Sequence, residues 1–218
     1  MALDAKKLVF EPIRVEDSVR IAPYFYRRPN KTCDSCALDS YLWAEYCDTR
    51  IAEWEDKALF ILMEKDGEQY TATPYCDEED LPQYFDLIKD YCNQVLKKTL
   101  KIYLADEEAV KYLNLEEDPR FIVREEEDYK DYLYDAEELR TLPGKRFHKK
   151  KNLVNKFKRE YEGRWEYRSI RCLEKQAVWD FLDRWYTHRI KEEGNGEETL
   201  EYEIKGIHEV LQNCFTID

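Results

Sequence analysis

Glycine is scarce in this chain, with six in 218 residues. Gly67, Gly144, Gly163, Gly194, Gly196 and Gly206 form no glycine-rich turn between a strand and a helix. Such a turn lets backbone N–H groups cradle a pyrophosphate, so its absence argues against a nucleotide-type cofactor. Histidine is scarcer still: His148, His188 and His208 stand alone in sequence, and no Ser–His–Asp order can be argued from them. Cys33-Asp34-Ser35-Cys36 is a close thiol pair, but a structural zinc site wants four ligands and no second close pair exists. The bland reading of that pair is two buried or half-buried thiols on a helix. No metal site is expected. No apolar run reaches the roughly 20 residues a membrane helix needs. The opening MALDAKKLVFEPI lacks the apolar core of a signal peptide, so the expected location is cytoplasmic with no integral membrane segment.

Positive charge is also in deficit: 35 Lys and Arg face 48 Asp and Glu, a net −13. That balance speaks against general affinity for nucleic acids or anionic membranes over most of the surface. What the chain does have is enough apolar material for a core. It is 43% hydrophobic and carries 17 Tyr and five Trp; the mean hydropathy of −0.80 reflects charge, not disorder. Seven cysteines at 33, 36, 47, 76, 92, 172 and 214 are odd in number and scattered, which predicts reduced thiols rather than a disulfide framework.

Periodicity gives an alternating order of strands and helices. Lys7 to Ile13 reads as a strand and Val15 to Tyr24 as a short helix, followed by a loop at Arg28-Pro29-Asn30-Lys31. Thr32 to Tyr46 reads as a helix, with Thr32 and Asp34 as candidate caps. Lys57–Met63 and Gln69–Tyr75 flank Asp66-Gly67, a hairpin signal. Leu81, Phe85, Ile88, Cys92 and Val95 make one helical stripe. Leu100–Leu104 reads as a strand, Asp106–Leu113 as a helix, and Arg120–Arg124 and Tyr129–Tyr134 as further strands. After Gly163 the alternation of Arg164 to Arg168 predicts a strand. Two more helices follow around a break at Gly194-Asn195-Gly196, over Cys172–Ile190 and from Leu200 to Phe215. This strand–helix–loop–helix order repeats the order at the N-terminus, without sequence identity.

One segment departs from the acidic background. Between Lys145 and Arg171 there are eleven Lys and Arg against Glu160, Glu162 and Glu166. The segment reads as a helix after Pro143-Gly144, with Phe147, Val154, Phe157 and Tyr161 on one face. Lys145, Lys149, Asn152, Lys156 and Arg159 recur on another at spacings of three and four. Closely spaced cations neutralise phosphates and release counterions, while amides such as Asn152 and Asn155 add directional hydrogen bonds. The candidate polyanion-binding set is therefore Lys145, Arg146, Lys149, Lys150, Lys151, Asn152, Asn155 and Lys156. Internal pairing with Glu125-Glu126-Glu127-Asp128 is the competing use of the same charges.

Phe10-Glu11-Pro12-Ile13, the Tyr41-Leu42-Trp43 stretch and above all Leu142-Pro143-Gly144-Lys145 through Lys149-Lys150-Lys151-Asn152 to Asn155-Lys156-Phe157 carry a family resemblance. They resemble bacterial proteins related to the C-terminal domain of phosphatidylglycerol lysyltransferases. The resemblance implies tandem GNAT-type acyltransferase folds and donors such as aminoacyl-tRNA or acyl-CoA. The expected fold class is thus α/β (α+β): a GNAT-like mixed sheet flanked by helices at 1–140, a basic connecting helix at 141–162, and an incomplete second GNAT-like module at 163–218. The implied function is an acyl- or aminoacyltransferase of unknown substrate, inactive or incomplete as this chain; the alternative is a non-catalytic binder of tRNA or phosphate headgroups. No cofactor is assigned, since the position near Ala105–Glu107, where a cofactor loop is expected, is acidic; no catalytic residue is assigned, since nothing singles out one among the 17 tyrosines. The two helices of the second module need a surface to cover, so they should dock on the first module or on a second chain. A terminal strand at Cys214–Ile217 would invite pairing across a homo-oligomer.

Overall fold

The computed structural model describes residues 3–28, 32–103, 105–193 and 198–217. It divides into two compact units, one of residues 1–129 with 172–218 and the other of residues 130–171. The class is mixed α+β.

A four-stranded antiparallel sheet in sequential order organises the first unit: β1 (Glu11–Pro12), β2 (Arg50–Trp54), β3 (Ala58–Lys65) and β4 (Glu68–Thr71). Asp66 and Gly67 both take positive φ, 54° and 78°, between the paired Lys65 and Glu68. That is the two-residue turn whose twist suits a hairpin, and the sequence signal is borne out. Central β3 is buried from Ala58 to Leu62, and its side chains alternate between two cores. Ala58 and Phe60 join Trp54, Leu81, Tyr84, Leu87 and Ile88 on one face. Leu59 and Ile61 join Ile21, Tyr24, Phe25, Ala37 and Ile51 on the other. Beyond β4 the Ala72 N–H still donates to Ile61, but Tyr75 bridges Leu59. One residue is therefore extra, and Pro74 sits at this bulge, where its missing N–H costs no ladder bond. Ile102 then makes an isolated parallel bridge to Thr71, which is all that forms of the strand expected at 100–104 among the described residues; Leu104 itself lies outside them.

The helices of this unit are α1 (Asp17–Ile21), α2 (Ala37–Leu42), α3 (Leu81–Asp90), α4 (Glu107–Tyr112), and, after the second unit, α7 (Lys175–Glu193), α8 (Glu198–Gln212) and α9 (Cys214–Ile217). In the second unit lie α5 (Ala136–Thr141) and α6 (His148–Glu160). A π-helical turn, Tyr91–Leu96, extends α3 and ends at Lys97 in the left-handed region. It keeps Tyr91 and Cys92 in the core.

Several expectations need correction. The first strand is only Glu11–Pro12, preceded by a 3-10 turn at Ala5–Lys7, because Asp4 caps that turn through the Lys6 N–H. The helix expected from Thr32 begins at Ala37: Cys36 is extended and its Sγ accepts from Asp39 N at 3.3 Å. Cys33 and Cys36 are exposed rather than half-buried on a helix. Residues 120–124, 129–134 and 164–168 form no strand, for alternation without a neighbouring edge cannot fill a ladder. Cys214–Ile217 is helical, so the premise of strand pairing across a dimer falls. Cys172 and Cys214 are bonded, with Cα atoms 5.8 Å apart; a separation of 42 residues hid that pair from a reading by local spacing. The loop expected at 28–31 and the break at 194–196 fall largely or wholly outside the described residues.

The C-terminal helices do cover the first module. Tyr186 donates to Glu201 at 3.1 Å and Trp179 stacks on His208, 5.6 Å between rings, which joins α7 to α8. Lys205 donates to Glu45 at 2.5 Å, Tyr41 to Glu209 at 3.3 Å, and the Tyr46 and Tyr202 rings lie 5.1 Å apart. At this seat a Cβ on Gly206 would collide with the Leu42 carbonyl oxygen. Glycine is required there by close approach, which lets α8 lie against α2.

Candidate functional site

The basic segment is helical, as its spacing indicates. Lys145 and Arg146 lie in a 3-10 turn, Lys145–Phe147, and Lys149, Lys150, Lys151, Asn152, Asn155 and Lys156 lie on α6. Gly144, at φ 71°, turns the chain into this helix. Each of the eight candidate side chains is exposed. At 100° per residue Lys149, Asn152, Lys156 and Arg159 share one arc and Asn155 borders it. Lys151 falls well to the side. Lys150 falls on the apolar arc with Val154, Phe157 and Tyr161, and its Nζ sits 5.7 Å from the Tyr134 ring centroid. Arg146 pairs with Glu138 and overlies the Phe147 ring. Lys156 approaches Glu160 at 3.8 Å. Lys145, Lys149 and Lys151 make no ion pair among the described residues. The geometry thus narrows the eight to a ridge of Lys149, Asn152, Asn155 and Lys156.

That ridge is electrostatically unusual for a helix. The first turn of α6 carries no acid, no side chain caps it, and Lys149, Lys150 and Lys151 crowd its positive end. Each cation there opposes the helix dipole by about 0.3–1 kcal/mol. A bound anion would reverse the sign of that cost.

The clefts of the first unit have the opposite character. One, of about 440 Å³, is lined by Arg20, Tyr24, Glu53, Glu55 and Asp56. Glu53 there accepts from Tyr24 at 2.9 Å and pairs with Arg20. Another, of about 410 Å³, places Glu16, Glu45, Asp48 and Glu209 around Arg14 and Tyr41. Carboxylate-lined clefts of this kind repel phosphate. The turn from β4 to α3 behaves likewise, carrying Asp77, Glu78, Glu79 and Asp80. Residues of this kind do not fit the pyrophosphate of an acyl-CoA.

Between α2 and the sheet lies a group of shifted titratable residues that sequence spacing did not single out. Burial, reinforced by the charge of Asp34, pushes the Asp39 carboxyl up to about 6 although Trp43 donates to it. Burial pushes Tyr75 up to about 12, with Ser35 hydrogen-bonded to it. Burial and a hydrogen bond with Tyr129 push Tyr103 up; its ring is edge-on to both Tyr70 and Tyr129 at 5.9 and 5.6 Å. Arg28 and Asp106, whose charges are felt by Tyr75, form a bidentate pair, both bonds 2.7 Å and both side chains buried. Asp106 also caps α4 through the Ala109 N–H at 2.8 Å. Burial would raise Asp106, but its bonds from Arg28 and Ala109 outweigh burial and hold it low. These partners are 78 residues apart, so no local pattern announces them.

The remaining sequence candidates resolve simply. His208 Nε2 lies 3.5 Å from Asp183. Among the described residues no group of three or more His, Cys, Asp or Glu could hold a metal. No described helix is long and apolar enough to cross a membrane.

Comparison with known proteins now adds to this geometry. A conserved protein of unknown function from Bacteroides thetaiotaomicron has a similar structure, with a TM-score of 0.83 at 22% identity. The match covers 96% of this chain and 69% of that one, and at such identity it speaks for the fold alone. No curated protein matches the chain. The family model described as phosphatidylglycerol lysyltransferase, C-terminal, matches residues 28–212, a span containing α6, the Arg28–Asp106 pair and the seat of α8. By that match the chain belongs to the phosphatidylglycerol lysyltransferase C-terminal family.

Proposed function

We propose that this protein is an aminoacyl- or acyltransferase of the GNAT type whose substrate carries phosphate, and that the α6 ridge contacts that phosphate. The carrying observation is the family match over residues 28–212. The acyltransferase-type fold is supported by the order of strand, two helices, three antiparallel strands, helix, parallel bridge and helix in the first unit. The proposed division of roles keeps the first module at 1–140, the basic connecting helix at 141–162 and the second module at 163–218.

The ridge supports a phosphate contact on electrostatic grounds. Residues 130–171 hold thirteen Lys and Arg against seven Asp and Glu within a chain of net −13. Lys149, Lys156 and Arg159 share one helical arc, and each phosphate such cations neutralise contributes to salt dependence. Phosphatidylglycerol and an aminoacyl-tRNA are the two phosphate-bearing substrates that the family name and the resemblance bring to this chain. Acyl-CoA is disfavoured by the acidic turn between β4 and α3.

The test is a transfer assay with lysyl-tRNA and phosphatidylglycerol vesicles, run beside binding of uncharged tRNA. Lysyl transfer that falls about tenfold or more in Lys149→Ala with Lys156→Ala, and much less in Lys150→Ala, is the expected result. Salt-sensitive tRNA binding without transfer would leave a binding protein. Neither binding nor transfer at low salt would overturn the reading.

A further inference from the structure

The cysteines separate into chemically different groups. Cys76 and Cys92 are buried, and burial pushes their thiols up to about 12 and about 11. Such thiols stay protonated and unreactive. Cys172 and Cys214, by contrast, are bonded to each other and half-buried, so solvent reaches them. Their positions in the fold are telling. Cys172 is where the chain re-enters the first unit after residues 130–171. Cys214 begins α9, directly after α8. The bond therefore ties the start of the α7 segment to the end of α8 across 42 residues. Apart from it, α7 and α8 are joined by the Tyr186–Glu201 bond, the Trp179–His208 stack and the His208–Asp183 approach. The seat of α8 against α2 and the residues after it includes the close approach of Gly206 to Leu42, the Lys205–Glu45 and Tyr41–Glu209 contacts and the Tyr46–Tyr202 ring pair.

We propose that Cys172 and Cys214 form a reversible thiol–disulfide latch that secures the C-terminal end of α8, and with it the seat of α8 on α2. Opening proceeds by exchange with a low-molecular-weight thiol or a protein dithiol. The incoming thiolate attacks one sulfur, the S–S bond breaks, and the departing cysteine leaves as a thiolate that takes up a proton. A second thiol attacks the mixed disulfide, frees the other cysteine and carries away the new disulfide. Two electrons and two protons pass to the pair, and closure is the reverse reaction with a low-molecular-weight disulfide as oxidant. When the latch opens, the end of α8 is held by its side-chain contacts alone. The effect reaches α2, whose first turn carries Asp39.

The experiment equilibrates the whole chain in glutathione buffers of graded redox poise, traps thiols with iodoacetamide and maps them by peptide mass spectrometry. Amide hydrogen exchange is followed in parallel over α7, α8 and α2. The expected result is that Cys172 and Cys214 become alkylated together in one two-electron step, while Cys76 and Cys92 stay protected. Exchange at the end of α8 should rise by roughly tenfold on opening, and the unfolding midpoint should fall by roughly 5–10 °C. Cys172→Ser and Cys214→Ser should each show the open-state exchange with or without reductant. The proposal is overturned if the two thiols are alkylated at every poise, if they resist native-state reduction throughout, or if opening leaves exchange over α8 unchanged.

Discussion

Two carboxylates, half-buried Asp39 and buried Asp106, respond to pH in opposite directions. Asp39 is raised to about 6, first by burial and then by the charge of Asp34. Between the ordinary carboxylate value near 4 and about 6, the native state keeps a proton that the unfolded chain has lost. Stability therefore falls as pH rises through that window, and the cost persists at pH 7. Asp39→Asn should flatten this slope and stabilise the protein at pH 7 by about 1–2 kcal/mol, after discounting for solvent that reaches the group. Urea unfolding at pH 4, 5, 6 and 7 measures it; an unchanged slope would show that Asp39 titrates normally. Asp106 is held low instead, so its contribution is present above the ordinary carboxylate range and disappears as pH falls through its depressed value. Removing one partner leaves a buried charge, and Arg28→Ala should cost about 3–5 kcal/mol. Replacing the pair by Arg28→Met with Asp106→Leu should cost clearly less. Equal losses in the single and double variants would contradict this account of the pair.

Helices and strands depend on what their edges meet. Gly206→Ala adds a methyl against the Leu42 carbonyl. Helix propensity alone would favour alanine by about 1 kcal/mol, while overpacking costs about 1–3 kcal/mol. A net loss of about 1–2 kcal/mol in denaturant unfolding is expected; a gain would mean α8 does not seat on α2 this closely. The same dependence explains which elements were legible from the residues. The Asp66-Gly67 hairpin, the stripe of α3 and the basic helix α6 are set by local turn chemistry and by periodicity within one element. The strands expected at 120–124, 129–134 and 164–168 rested on alternation alone, and alternation does not supply a partner edge. Cys36 replaced Thr32 as the cap of α2 because its backbone is extended and its sulfur faces the Asp39 N–H. The ridge of the candidate site was legible because it lies on one helix. The Arg28–Asp106 pair, the Asp39 and Tyr103 group and the Cys172–Cys214 bond were not, since tertiary packing assembles them from distant positions.

Across the molecule the decisive contrast is one of charge. Acidic residues line the clefts of the sheet-bearing unit and the turn from β4 to α3. Residues 130–171 carry the net positive charge, with Lys149 and Lys156 on one exposed arc. The proposed phosphate contact rests on this contrast, since a polyanion is attracted by the cationic arc and repelled by carboxylates. The most direct measurement is tRNA binding by the whole chain at 50 and 200 mM salt, in the wild type and in Lys149→Ala with Lys156→Ala. Neutralising two phosphate contacts should weaken binding at 50 mM salt and reduce the magnitude of the slope of log K against log salt by roughly 2. An affinity and slope identical to the wild type's would contradict the assignment of the ridge.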